Sequence, residues 1–330
     1  MAQPPYSQIH VDKFLTNMSV AMLQDPEKFI AGKVFTEVGT KTQSDSYPVY
    51  DMADFRRDEA QLRASATESE GGGYNVSPDT YFCQKYGYHK DVTPEDRINS
   101  DSPLAADIDA LDFVTEKFLI LKERIWRDSF FQLLVWDNDL VGGAAAGPGV
   151  DFIQWDQPLG VPIQDIKDAQ LLVGNQTGIK LDTLIMSPPV RYALDTNPDI
   201  LARIVYGGTP GSPAVVNDAA IAQALGVNRI LVPWGVINTA VEGAAEYTNW
   251  IYGNNALLTY TDNQAGLKKP VSGRIFNWTG LLGAGAAGMR INRLPMDLLG
   301  PGTQRIEGEA AFDMKVVSSI LGVFFSGAVA

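Results

Sequence analysis

Apolar residues recur at spacings of three and four along one stretch: Leu104, Ile108, Leu111, Val114, Phe118, Leu121 and Ile125. That period is one face of an α-helix. Ser102 and Pro103 supply an N-cap and a proline at the first helical position. Asp107, Asp109 and Asp112 lie in the first half, and Lys117, Lys122, Arg124 and Arg127 in the second. The helix dipole favours that order. The pattern predicts a helix over about 102–134, roughly 50 Å long at about 1.5 Å per residue. Outside a coiled coil, a helix of that length is a spine.

The rest of the chain has other periods. Ile9 to Leu23 fits a short amphipathic helix stopped by Asp25-Pro26. Val34 to Val38 reads as a strand. A polar stretch from Lys41 to Glu70 carries alternation at Tyr47, Val49 and Phe55, then Gly71 to Gly73, then loose alternation from Tyr74 to Tyr88. This predicts a strand out, a charged tip and a strand back. An isolated hairpin is marginal in water, so it needs a partner surface. The alternative is a structureless loop, uncommon at this length inside a compact domain. Pro162 to about Val173 predicts a helix ended between Gly174 and Gly178, Leu181 to Met186 a strand, and Pro188 to Leu194 a short helix. Arg229 to Val232, bounded by Gly226 and Pro233, reads as a buried strand. Ala256 to Tyr260 is apolar, and Pro270, Ser272 and Gly273 turn into an alternating Arg274 to Trp278. Val316 to Ala330 reads as one or two buried strands, too short and polar to span a bilayer. The sum is an α+β chain with mixed sheets, without the βαβ alternation of a doubly wound enzyme.

Composition narrows this picture. Of 330 residues 45% are apolar, enough for a substantial core. The net charge of −13 excludes a broad basic face for coating nucleic acid. Cys83 is the single cysteine, so no internal disulfide forms, which fits a reducing compartment. Met1 to His10 is polar and contains prolines, unlike a signal peptide.

Candidate chemistry is sparse. Gly283, Gly285 and Gly288 match the spacing of a dinucleotide fingerprint, but Pro295 would cut the required helix short. His10 and His89 are the only histidines, which argues against a histidine-based site. Cys83 reads as a buried structural thiol. Asp137, Asp139 and Gly142 read as a helix-ending turn, not a calcium loop. No catalytic, cofactor-binding or metal-ligating set is therefore expected. Asp54, Phe55, Arg56, Arg57, Asp58 and Glu59 form a cluster at the tip of the excursion. No partner for it is evident within one chain; it is a solvated face or a contact between subunits.

One ordered series remains. Ile230 to Val232, Asn238 to Ala240, Trp250 to Gly253, Ala256 to Tyr260, the turn at Pro270 to Gly273 and Phe276 to Trp278 follow one another. The series resembles the axial domain of tailed-bacteriophage major capsid proteins, the Hong Kong 97-like coat family. The likeness extends over most of the chain. It implies an arm at residues 1–33, an extended loop with flanking strands at 34–100, and a peripheral domain at 101–185. An axial domain follows at 186–305, and closing strands at 306–330 return to the peripheral domain. Only Gly280 to Gly302 has no counterpart. The resemblance implies a structural, non-enzymatic protein that assembles into pentamers and hexamers of an icosahedral head around phage DNA. It would be made in the bacterial host cytoplasm and carried in the virion, without cofactor, membrane contact or sequence-specific DNA binding. Its partners would be itself, portal and scaffolding proteins, and a decoration protein. The tip residues Asp54 to Glu59 would then be a subunit interface. A bacterial nanocompartment shell is the alternative within the fold, and a nucleotide-dependent enzyme using the Gly283 loop the alternative of another class.

Overall fold

Leu184 to Met186, Ala256 to Leu258 and Val323 to Phe325 are apolar at every position, which only a sheet covered on both faces can accommodate. The structure, a computed structural model, bears this out. It describes residues 24–100, 105–205, 216–262, 270–283 and 288–330. The helix expected at Ile9 to Leu23, the cap at Ser102 and Pro103, Leu104, His10 and Gly285 lie outside the described residues.

In chain order, α1 (Ala31–Val34) and β1 (Glu37–Thr40) lead into β2 (Ser44–Tyr50) and β3 (Val76–Phe82). Then come β4 (Gln84–Val92), α2 (Pro94–Asn99), α3 (Ala106–Phe130), β5 (Asn138–Gly143) and β6 (Phe152–Ile153). The middle holds α4 (Pro162–Thr177), β7 (Thr183–Met186), α5 (Pro188–Thr196), α6 (Pro198–Val205) and α7 (Asp218–Leu225). It continues with β8 (Arg229–Leu231), β9 (Val236–Asn238), β10 (Thr248–Trp250) and β11 (Ala256–Thr259). The chain closes with β12 (Gly273–Trp278), α8 (Thr279–Leu282), β13 (Met289–Pro295), β14 (Gln304–Val316) and β15 (Gly322–Ser326).

Two sheets carry the fold. The six-stranded one has the order β6-β5-β15-β11-β7-β8, with β15-β11-β7 antiparallel and the outer pairs parallel. Strand alternation divides its side chains between two cores. Leu184, Met186, Leu258, Val323 and Phe325 join α4 to α7. Ile185, Leu257 and Phe324 face the core built around α3, with Phe35, Trp126, Phe130, Phe131 and Tyr252. The second sheet is built on β14: β4 pairs with one edge, and β13 then β12 with the other, while β1 adds in parallel to β12. Helix α3 packs on β14 and β4. Two hairpins, β2-β3 and β9-β10, stand outside both sheets.

The structure corrects several expectations. Helix α3 has 25 residues, about 37 Å, and stops at Phe130. Two polar groups end it: the Trp136 indole donates to the Phe130 carbonyl at 2.7 Å, and the Leu134 amide donates to Asp139 at 2.6 Å. Its buried line is Ala106, Ala110, Val114, Phe118, Glu123, Trp126 and Phe130, rotated from the expected stripe. Ile108 is 57% exposed. The cause is the close approach of β14, where a Cβ on Gly308 would lie 2.4 Å from the Phe118 ring. Small residues at Ala106 and Ala110 let the first half of the helix sit down on the sheet. Helix α4 continues through Gly174 to Thr177, because the left-handed stop is Gly178, with φ of 72°. Val34 ends a helical turn, and the strand begins only at Glu37. Strand β8 is half-buried, an edge strand, where a buried one was expected.

Phe118→Asp should bury an unpaired charge and cost several kcal/mol, leaving insoluble or unfolded protein. Ile108→Asp, on the same stripe by sequence spacing, should stay within about 0.5 kcal/mol of the parent. Chemical denaturation of both separates the observed face from the expected one.

Candidate functional site

The ribbon of β2 and β3 is the largest feature that no sheet absorbs. Its base is anchored by aromatic stacking. Tyr81 lies flat on Phe276, with ring centroids 4.5 Å apart and planes at 11°, and Tyr47 is 5.5 Å from the same ring. The Tyr47 hydroxyl donates to Asp79, and burial with that neighbouring carboxylate pushes the phenol well above its usual range. The Phe82 amide donates to Asp313 at 2.9 Å. Cys83 is a free, buried thiol that donates to the Phe276 carbonyl at 3.5 Å, and burial pushes its pKa up to about 11. His89 lies further along β4, opposite Glu307. At mid-ribbon Pro48 faces Pro78. Lys41 sits at the base, its carbonyl accepting from the Trp278 indole at 3.0 Å.

The tip is organised locally. Asp51 accepts the Ala53 amide at 2.9 Å, and Asp54 accepts the Asn75 amide at 2.8 Å, closing the loop on itself. Tyr50, Phe55 and Tyr74 form a ring cluster with centroids 5.1 to 6.1 Å apart, and Phe55 is 56% exposed. Arg57 pairs with Asp54 at 3.4 Å and, at 3.9 Å, with Glu59. Asp58 is exposed. Arg56 breaks the expectation that the tip lacks a partner in its own chain. Its guanidinium donates to the carbonyls of Gln176 at 2.5 Å and Thr177 at 2.6 Å. These are the last residues of α4, and a helix C-terminus leaves carbonyls unpaired and attracts cations. The structure thus places Asp54 to Glu59 together, with one of the six bonded to the body.

Sequence reasoning missed Glu123. It is fully buried on α3 and accepts the Ile30 amide at 3.0 and 3.2 Å, the Ala31 amide at 2.8 Å and the Tyr252 hydroxyl at 2.8 Å. Among the described residues no cation pairs with it, and burial pushes its carboxyl above the usual range against the pull of those donors. The carboxylate starts the turn of α1 and so ties α1 to α3 and to the segment before β11. The signal was present: Glu123, Trp126 and Phe130 share one helical face. It was hidden by the charges around it, Lys122, Arg124 and Arg127.

Of the glycine run, Gly283 ends helix α8. Gly288 has φ of 77° and is followed by strand β13, antiparallel to β14. A dinucleotide fingerprint requires a helix there. Strand β13 stands where that helix would have to begin.

No protein-family model matches the chain, and no curated protein matches its sequence. Solved structures do. A phage-related protein from Bordetella bronchiseptica superposes with a TM-score of 0.66 at 14% identity, over 96% of this chain and 97% of that one. The capsid of cyanophage P-SCSP1u gives 0.60 at 9% identity, over 97% and 93%. The chain has the Hong Kong 97-like coat fold. The capsid of a native GTA particle also matches, at 0.56 and 11% identity, over 96% and 95%. The coat fold therefore spans the chain almost end to end.

Arg56→Ala should free the tip without unfolding the body, since one exposed charged contact contributes about 1 kcal/mol or less. Proteolysis should then cut faster within residues 57–75, with the thermal midpoint nearly unchanged. Glu123→Gln should instead set an amide donor against the Ile30 and Ala31 amides, costing about 3 kcal/mol. Hydrogen exchange at those two amides should rise sharply.

Proposed function

We propose that the chain is the major capsid protein of a tailed double-stranded DNA bacteriophage. In this reading it assembles as pentamers and hexamers into an icosahedral head and has no enzymatic role. The observation that carries it is the match, in both directions nearly complete, to structures that include a cyanophage capsid and a GTA capsid. A partial likeness would support only a shared module. Two further features support it. The ribbon of β2 and β3 has two faces and little body to cover them, so it gains most by lying over a neighbour. Among the described residues no helix is long and apolar enough to cross a membrane, and no group of His, Cys, Asp and Glu could hold a metal ion.

The parts take family roles on this reading. Residues 1–33 are the arm, 34–100 the extended loop and its flanking strands, and 101–185 the peripheral domain with α3 as spine. Residues 186–305 are the axial domain, from which β12 and β13 are lent to the sheet beneath α3. Residues 306–330 close the chain. A shell of this kind sums many weak contacts, so no single interface has to be strong. The acidic chain would contain DNA without gripping it. Portal, scaffolding and decoration proteins are the expected partners, in a virion assembled in the host cytoplasm.

Purified protein should appear as capsomers, shells or tubes in negative-stain micrographs and light scattering. Raising salt should promote them by screening the net charge of −13. A sharp species of about 36 kDa at every salt and protein concentration would sink the proposal.

A further inference from the structure

The hairpin of β9 and β10 carries an aromatic face that the described body leaves open. Trp234 is 46% exposed, Trp250 37% and Tyr247 64%. The Trp234 and Trp250 rings meet edge to face, with centroids 5.6 Å apart and planes at 79°. Val236 stands directly opposite Trp250 in the ribbon, so the two share that face. Ile237, on the other face, packs against the core around α3. Every residue from Val241 to Trp250 is exposed. A two-stranded ribbon is marginal in water, and one with indoles on its open face gains from a cover.

The start of the described chain is tied to the same ribbon. Gln24 lays its side-chain amide along the free edge of β9, accepting the Val236 amide at 2.9 Å and donating to the Val236 carbonyl at 3.1 Å. Further on, the Lys28 carbonyl accepts the Trp234 amide at 3.1 Å. The chain therefore runs opposite to β9 here, and its course from Lys28 back to Gln24 leads toward the ribbon's tip. In the sequence 23 residues precede Gln24. Among them Val11, Leu15, Met18 and Met22 recur at spacings of three and four, with Lys13 and Asn17 on the opposite side of that period.

We propose that the apolar stripe of residues 9–23 docks on the Trp234 and Trp250 face of the β9-β10 ribbon in the same chain. Connection selects this occupant. Gln24 is fixed at Val236, so the preceding segment is held beside the indoles at an effective concentration that no separate partner matches. As a helix it spans about 22 Å at about 1.5 Å per residue, enough to cross the ribbon. Its chemistry fits as well. The thioethers of Met18 and Met22 adapt to indole rings, and Phe14 beside the stripe adds an aromatic edge. The acids of the ribbon's tip, Glu242 and Glu246, disfavour a nucleic acid there. The contact lies within one chain and is independent of the shell reading.

Leu15→Glu with Met18→Glu in the full chain should raise amide hydrogen exchange across residues 237–250 about tenfold or more, with β7 and β11 unchanged. Asn17→Glu, off the stripe, should leave the ribbon as protected as in the parent. Equal exchange in the parent and the stripe variant would mean that the segment does not cover the ribbon, and the proposal falls. A second measurement keeps the stripe intact apart from one position. Met18→Cys with Thr248→Cys should give a disulfide within one chain, at a yield independent of protein concentration; Cys83 is buried and does not compete. The reaction is run on a mixture of isotopically light and heavy chains and read by mass spectrometry. A disulfide that joins light to heavy chains would assign the face to a second copy, and no disulfide at all would leave it to another protein. Either result overturns the proposal.

Discussion

The molecule depends on a sheet that has to be covered twice. In β7, β11 and β15 every residue but the last of β15 is buried, and alternate side chains go to opposite cores. Helices α4 to α7 cover one face, and the aromatic cluster of α3 covers the other. Neither layer can be removed without exposing a row of Leu, Ile and Phe to water, at roughly 25 cal/mol per Å² of apolar surface. This fixes the relative position of segments far apart in sequence. The last strand, β15, lies between β5 and β11, so the chain cannot complete its centre until its C-terminal residues arrive.

The same arrangement explains why a buried acid is tolerated on the spine helix. Glu123 sits where α1, α3 and Tyr252 meet, a junction at which three donors need an acceptor. A carboxylate with two oxygens satisfies three donors at once, which no apolar residue could do. The junction is specified by hydrogen bonds, whereas the sheet is specified by shape. Phe35, Trp126, Phe130 and Tyr252 surround it and exclude water.

What the sequence shows clearly is what depends on local period. The spine helix, the short helix after Pro188, the out-and-back ribbon and the apolar strands all follow from spacing of three to four or of two. The helix boundaries did not follow, because Trp136 and Asp139 end α3 through contacts that no window of sequence contains. The buried face was rotated because a glycine on a strand nearly two hundred residues later sets how close the helix sits. Strand β13 was hidden in a glycine-rich stretch, since its partner β14 decides its state and its own residues do not. At the tip, Asp54 to Glu59 stood out as charges without a purpose. The reach of Arg56 to α4 depends on tertiary position alone.

One detail of the ribbon bears on how this chain can associate at all. Two prolines can face each other in an antiparallel pair only where each amide would point outward. Pro48 and Pro78 therefore strip a donor from both free edges at the same level. A long two-stranded ribbon held out from a protein at high local concentration is otherwise a seed for endless edge-to-edge growth. With both margins interrupted, the ribbon cannot be extended by a third strand over its full length. Association is pushed onto side chains, whose geometry can close on itself, and away from backbone pairing, whose natural end point is a fibre.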